Sequence, residues 1–153
     1  TLGGAMEAAL QGLPAIALSQ YLGPENAQDP ELHFEAARLH GVRTVLHILD
    51  RAPWDDADFR LFYSVNFPPL PAARVRDIKV APLGFRRGTS FSTEPHFSPS
   101  GRKFLWIRGG GQHAPTAPGS DVALCLDGHI AVTPMRADLT AHDTLAHVKD
   151  LLE

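Results

Sequence analysis

The chain has 153 residues, 44% of them hydrophobic, with 13 Gly and 13 Pro, which fits one globular domain with many turns. A formal net charge of −3 argues against a nucleic-acid coat, which needs a basic excess or a basic patch. The single cysteine, Cys125, excludes an intrachain disulfide, no apolar run is long enough to span a bilayer, and no signal peptide opens the chain, so a cytoplasmic protein is expected.

Thr1 leads, with no initiator Met, into Ala5-Met-Glu-Ala-Ala-Leu-Gln11, a run of strong helix formers. This reads as a start partway through a longer sequence. Gly12 stops the helix, as a glycine just past a helix end does. Residues 14–19 form a short strand that is almost wholly apolar. Such a strand belongs inside a sheet covered on both faces, usually a parallel one. A helix leading into it is half of an α/β unit. Residues 20–28 read as a polar loop. Asp29 and Pro30 then open a long helix as N-cap and first-turn residue. Leu32, Ala36, Leu39, Val42, Leu46 and Leu49 make its apolar stripe, the expected core face. Gly41 interrupts it at a cost of about 1 kcal/mol.

Residues 51–58 read as an acidic turn around Pro53-Trp54. Residues 61–67 form the next strand, ended by Pro68-Pro69, and residues 77–81 another. Residues 84–107 read as a long hairpin arm whose tip, Ser98-Pro-Ser-Gly101, has turn composition. A two-stranded arm is marginal alone in water, so Phe85, Phe91, Phe104 and Trp106 suggest a partner surface. After a Gly/Pro-rich loop, Ser120 or Asp121 caps a short helix through Leu126. Asp127-Gly128 turns into a strand over residues 129–135, and Pro134 places its end, or a sheet edge, there. Thr140 stands three residues before Asp143, a capping-box spacing. The terminal helix, about 141–152, carries Leu145, Val148, Leu151 and Leu152 on one face and must dock on something.

Five segments in this order carry a resemblance: residues 1–19, residues 61–67 with the prolines after them, Gly84-Phe-Arg-Arg87 together with residues 100–110, Gly119-Ser-Asp121, and Thr133-Pro-Met-Arg-Ala-Asp-Leu-Thr-Ala-His142. Together they resemble the SurE family, the survival-protein 5′/3′-nucleotidases. The resemblance covers essentially all of this chain but only the C-terminal part of the family. It implies an α/β fold, the C-terminal part of a Rossmann-like parallel sheet with an antiparallel hairpin arm and a C-terminal helix. Residues 1–60 would be the remainder of the Rossmann-like domain, and residues 61–153 the C-terminal region with the arm. The activity implied is divalent-metal-dependent hydrolysis of nucleoside monophosphates to nucleoside and phosphate, with Mg or Mn as the cation. The family's ligands, an Asp-Asp pair, a Ser and a loop Asn, all belong upstream of Thr1. The chain alone is therefore expected to hold no metal, to supply no catalytic residue and to be inactive. The resemblance also implies a homo-dimer or homo-tetramer in which the terminal segment exchanges between subunits.

Several residues stand out within that frame. Thr1 opens the first helix, whose free N–H groups and positive end suit an anion, and the resemblance places phosphate nearby. Asp138 and His142 lie four apart and are expected to form a hinge hydrogen bond rather than a catalytic pair. His33, His40 and His47 recur every seven residues, about 10.5 Å along a helix, too far apart for one ion with ligands at ~2 Å. Arg86-Arg87 is expected to be a solvated pair on the arm, and Gly109-Gly-Gly111 a flexible connection rather than a phosphate loop. Asp55-Asp56 lies in a turn, not at a strand end. A competing reading is a non-catalytic oligomerisation module acting through the arm and tail.

Overall fold

Strand β2 (Leu61–Phe67) lies inside a four-stranded sheet, and the two hydrophobic cores form on either side of it. Its parallel neighbour, β1 (Ile16–Gln20), sets Ala17 beside Ser64 and Ser19 beside Asn66. The antiparallel neighbour on its other side is β6 (Ile130–Arg136), and β3 (Ile78–Val80) pairs parallel with β6. The structure is a computed structural model describing residues 1–23, 34–54, 60–87, 91–108, 114 and 116–153. Asp29, Pro30, Leu32, His33, Asp55, Asp56 and Gly109 to Gly111 lie outside the described residues.

Alternation along β2 separates the two cores. Tyr63, Val65 and Phe67 join Ile130 and Val132 against helix α2 (Glu35–Arg51), which contributes Ala36 and Ile48. Phe62 points the other way, toward Ala15 and Ala17 of the β1 segment and Ala5 and Ala9 of helix α1 (Leu2–Leu10). Phe62 and Phe67 are fully buried and contribute roughly 1.5–3 kcal/mol each. This two-sided burial explains the apolar run at β2, and the expected α/β fold is observed; β1 departs from expectation, because it is an edge strand of the described sheet with Ala17 buried and Leu18 exposed. The end of α1 is also as expected: Gly12 adopts φ 85°, while its N–H and that of Leu13 bond back to the carbonyls of Ala9 and Ala8. Pro134 sits within β6, at a point where β3, paired only with residues 130–132, no longer flanks the strand.

The orientation of α2 differs from expectation. Leu39, Val42, Leu46 and Leu49 are exposed, Val42 by 71%, and the buried positions are Ala36, Gly41, Thr44 and Ile48. The sheet face beneath is bulky, so the helix approaches it through small residues. Thr44 is buried at no polar cost because its hydroxyl donates to the His40 carbonyl at 2.8 Å. The His40 ring bonds the Ala72 carbonyl at 3.0 Å, tying α2 to a 3₁₀ turn at Ala72–Arg74. That contact gives His40 a structural role, and His47 is exposed.

The arm pairs β4 (Ser92–Phe97) with β5 (Lys103–Arg108) through a Ser98–Gly101 turn in which Gly101 has φ 80°. Every residue of β5 is exposed, Trp106 by 59%. At the C-terminus the capping box does not form. A 3₁₀ turn at His142–Thr144 precedes helix α4 (Leu145–Leu152), whose N-cap, Thr144, makes no side-chain cap bond. Asp138 instead accepts the Thr140 N–H at 2.8 Å, a local bond that competes with helix initiation. No residue of α4 is buried, so among the described residues its apolar face docks on nothing.

Gly41 has a predictable consequence. A Cβ built there meets nothing within 4 Å, so Gly41→Ala is expected to stabilise the chain by about 1 kcal/mol through helix propensity. Urea unfolding of both chains measures this, and a loss of stability would mean that α2 sits closer to the sheet than described.

Candidate functional site

Parallel strands β1 and β2 end side by side, and in open α/β sheets the ends of parallel strands are where ligands bind. A cleft of about 460 Å³ opens there, lined by Thr1, Leu2 and Gly3 of the α1 N-terminus, Ser19 of β1, Ser64 and Asn66 of β2, and Asp121. It lies on the same sheet face as Phe62, where small residues let α1 come close. Helix α1 therefore directs unpaired backbone N–H groups and a positive dipole end at the cleft. Thr1 is its N-cap and makes no side-chain cap bond.

Asp121 fixes the opposite wall. It is the first residue of α3 (Asp121–Leu126), whose N-cap is Ser120 with its Oγ accepting the Ala123 N–H, as the sequence suggests. The buried Asp121 carboxylate accepts the Gly84 N–H at 2.6 Å and the Val122 N–H at 2.7 Å on one oxygen, and Asn66 Nδ2 at 3.3 Å on the other. Its own N–H donates to the Pro82 carbonyl at 2.9 Å. The loop after β3 is thus clamped to α3 and to the end of β2. Gly84 permits the clamp, since a Cβ there would stand 2.8 Å from Ser120 Oγ and 3.2 Å from the Asp121 carboxylate. Beside Ser64 across the β2–β6 pair, the buried Thr133 hydroxyl has no hydrogen-bond partner among the described residues.

A divalent cation does not fit the described residues that line this cleft. Mg²⁺ and Ca²⁺ take several oxygen ligands, carboxylates prominent among them. The cleft has one carboxylate, with both oxygens already accepting hydrogen bonds. Among the described residues no cluster of three or more His, Cys, Asp or Glu is placed to hold an ion.

Of the residues singled out from sequence, Thr1 lines this cleft, whereas Asp138 and His142 do not. Those two are joined at 2.5 Å in the segment between β6 and α4. Arg86 differs from expectation. It precedes the paired strands of the arm, is half-buried, and lines an adjoining cavity, whereas Arg87 is exposed. Ser19, Ser64, Asn66 and the clamping role of Asp121 were not anticipated. A signal existed for two of them: Ser64 and Asn66 are polar residues at i and i+2 in an otherwise apolar strand, and so share one face.

Comparison with known proteins places these features in context. A family model described as survival protein SurE matches residues 1–90. The 5′-nucleotidase SurE of Cereibacter sphaeroides (strain ATCC 17025 / ATH 2.4.3) is 66% identical over 154 residues, covering 99% of this chain and 58% of that protein. The 5′-nucleotidase SurE of Roseobacter denitrificans is 64% identical over 146 residues, covering 95% and 56%. The crystal structure of SurE protein from Aquifex aeolicus matches with a TM-score of 0.68 at 31% identity, covering 100% of this chain and 57% of that one. The chain therefore spans a little over half the length of the relatives it matches.

Two measurements probe this geometry. Gly84→Ala is expected to cost about 1–3 kcal/mol by forcing the loop away from Ser120 and Asp121. Chemical denaturation reads this, and a neutral substitution would show that the clamp is looser than described. The second concerns pH. The His142 ring, then the Thr140 hydroxyl and N–H, hold the Asp138 carboxyl down at about 2, below its ordinary 3.8. A depressed carboxyl stabilises the fold above the unfolded value and loses that contribution as pH falls. The Asp138–His142 contact is expected to persist down to pH ~4 and to be lost through about 2, as followed by NMR of the Asp138 carboxyl. A midpoint at the ordinary carboxylate value would mean the contact is absent in solution.

Proposed function

This chain belongs to the SurE family, and we propose that it forms part of a 5′/3′-nucleotidase that hydrolyses nucleoside monophosphates to nucleoside and phosphate. The observation that carries the reading is the cleft at the ends of β1 and β2, where the α1 N-terminus faces Ser19, Ser64 and Asn66, in a chain 66% identical to a protein named 5′-nucleotidase SurE. The phosphate binds in this cleft. The N–H groups of the first turn of α1, beginning at Thr1, donate to its oxygens, because a helix N-terminus offers free donors and a favourable potential. Ser19, Ser64 and Asn66 supply neutral donors, which add hydrogen bonds without a competing charge. Asp121 touches no phosphate oxygen. It is a positioning residue that orients Asn66 Nδ2 and holds the loop at Gly84.

The family chemistry calls for a divalent cation, Mg or Mn, whose usual role is to polarise phosphate and activate water. The described residues of the cleft supply no ligand set for it, which supports ligands in the part of the relatives' length outside these 153 residues. The chain by itself is expected to be inactive. The exposed arm and the undocked α4 support assembly of the complete protein as a homo-dimer or homo-tetramer, with Asp138 and His142 at the hinge of the terminal segment.

Phosphate release from a 5′-nucleoside monophosphate with Mn²⁺ or Mg²⁺ tests the reading. A chimera carrying the upstream segment of the Cereibacter sphaeroides relative in front of Thr1 should be active, and the 153-residue chain should not. Comparable release by the chain alone would overturn the division of labour. A folded chimera that hydrolyses no nucleotide would overturn the nucleotidase reading.

A further inference from the structure

The β2 residues that line the cleft have counterparts one strand over. Antiparallel pairing sets Ser64 opposite Thr133, Asn66 opposite Ala131 and Phe62 opposite Met135. Opposed residues of such a pair share a sheet face. Thr133 therefore lies on the α1 side, where Met135 packs against the Phe62 cluster. Along the other edge of β6 runs the chain leaving β3. The Ala81 N–H donates to the Val132 carbonyl at 3.0 Å, and Leu83, two residues on, lines the cleft. Thr133 thus sits in the floor between Ser64 and the stretch that leads to Leu83.

Its hydroxyl is out of keeping with that place. Thr133 is 4% exposed, and its Oγ1 is buried with no hydrogen-bond partner among the described residues. A buried hydroxyl without a partner is unfavourable. Other buried hydroxyls are satisfied: Thr44 donates to the His40 carbonyl, and Ser120 accepts the Ala123 N–H. The partner within reach of Thr133 is Ser64. Directly opposed residues have Cβ atoms about 4.5–5.5 Å apart, so rotation about the two Cα–Cβ bonds brings the hydroxyls into hydrogen-bond range. A serine hydroxyl has one donor and two acceptor sites. When Ser64 turns its O–H to an anion in the cleft, its oxygen still accepts, and it accepts better because hydrogen bonds in a chain polarise one another.

We propose that Thr133 is a positioning residue for anion binding. With phosphate in the cleft, the Thr133 O–H donates to Ser64 Oγ, and the Ser64 O–H donates to a phosphate oxygen. Thr133 touches no ligand atom. It fixes the Ser64 rotamer and strengthens the donor that Ser64 offers. This role rests on phosphate lying in the cleft, as the nucleotidase reading has it.

The test is the inhibition constant, Ki, of inorganic phosphate against a 5′-nucleoside monophosphate in the chimera. Thr133→Val is expected to leave stability in phosphate-free buffer unchanged or higher, since the hydroxyl has no bond to lose there, and to raise Ki by about fivefold. Thr133→Ser keeps the hydroxyl and is expected to keep the unsubstituted Ki. Ser64→Ala is expected to raise Ki by about tenfold, and adding Thr133→Val to it to change nothing more, because one hydroxyl acts through the other. Where Thr133→Val fails to fold, Thr133→Ala carries the Ki comparison. The role is overturned by an unchanged Ki in a folded valine or alanine variant. A Thr133→Val chimera less stable without phosphate, or effects of the two substitutions that multiply, would overturn it too. Ser64→Ala with an unchanged Ki and intact nucleotide hydrolysis removes phosphate from beside Ser64 and this role with it, and leaves the nucleotidase reading standing.

Discussion

One buried carboxylate holds together the end of the molecule where the candidate site lies. Asp121 gathers the N–H groups of Gly84 and Val122 and the amide of Asn66, and so joins a loop, a helix start and a strand end that share no covalent proximity. Hydrogen bonds to a charged group are worth about 1.5–3 kcal/mol each, and a buried donor left without its partner costs a similar amount. The arrangement is therefore all or nothing. It also reconciles an anionic side chain with a cleft suited to anions, because both oxygens are turned onto donors of the protein.

The two faces of the sheet are built on different terms. On the α2 side the sheet is bulky, with Tyr63, Val65 and Phe67 clustered with Ala36 and Ile48 of the helix. On the α1 side nearly everything except Phe62 is alanine. Close approach there brings the first turn of α1 level with Ser19 and Asn66, which converts a packing choice into an electrostatic one. The same α3 that carries Asp121 turns Val122, Cys125 and Leu126 toward the adjoining cavity, so one short helix walls both spaces.

Much apolar surface remains uncovered: the outer stripe of α2, both faces of the arm, and all of α4. The arm forms a two-stranded sheet of its own, separate from the four-stranded one.

Local chemistry was legible from the residues. Gly12 past α1, Ser120 before α3, the turn at Ser98 to Gly101 and the strand over residues 61–67 each follow from backbone preferences that neighbours in sequence impose, and the five ordered segments pointed to the family. What periodicity cannot supply is the identity of the inward face. The α2 stripe is regular, yet the bulky sheet selected its small residues for burial. Nor does spacing reveal that Asp121 reaches Gly84, 37 residues away, and Asn66, 55 residues away. Those contacts exist only once the strands have set their order, because a hydrogen bond is decided by distance in space and not along the chain.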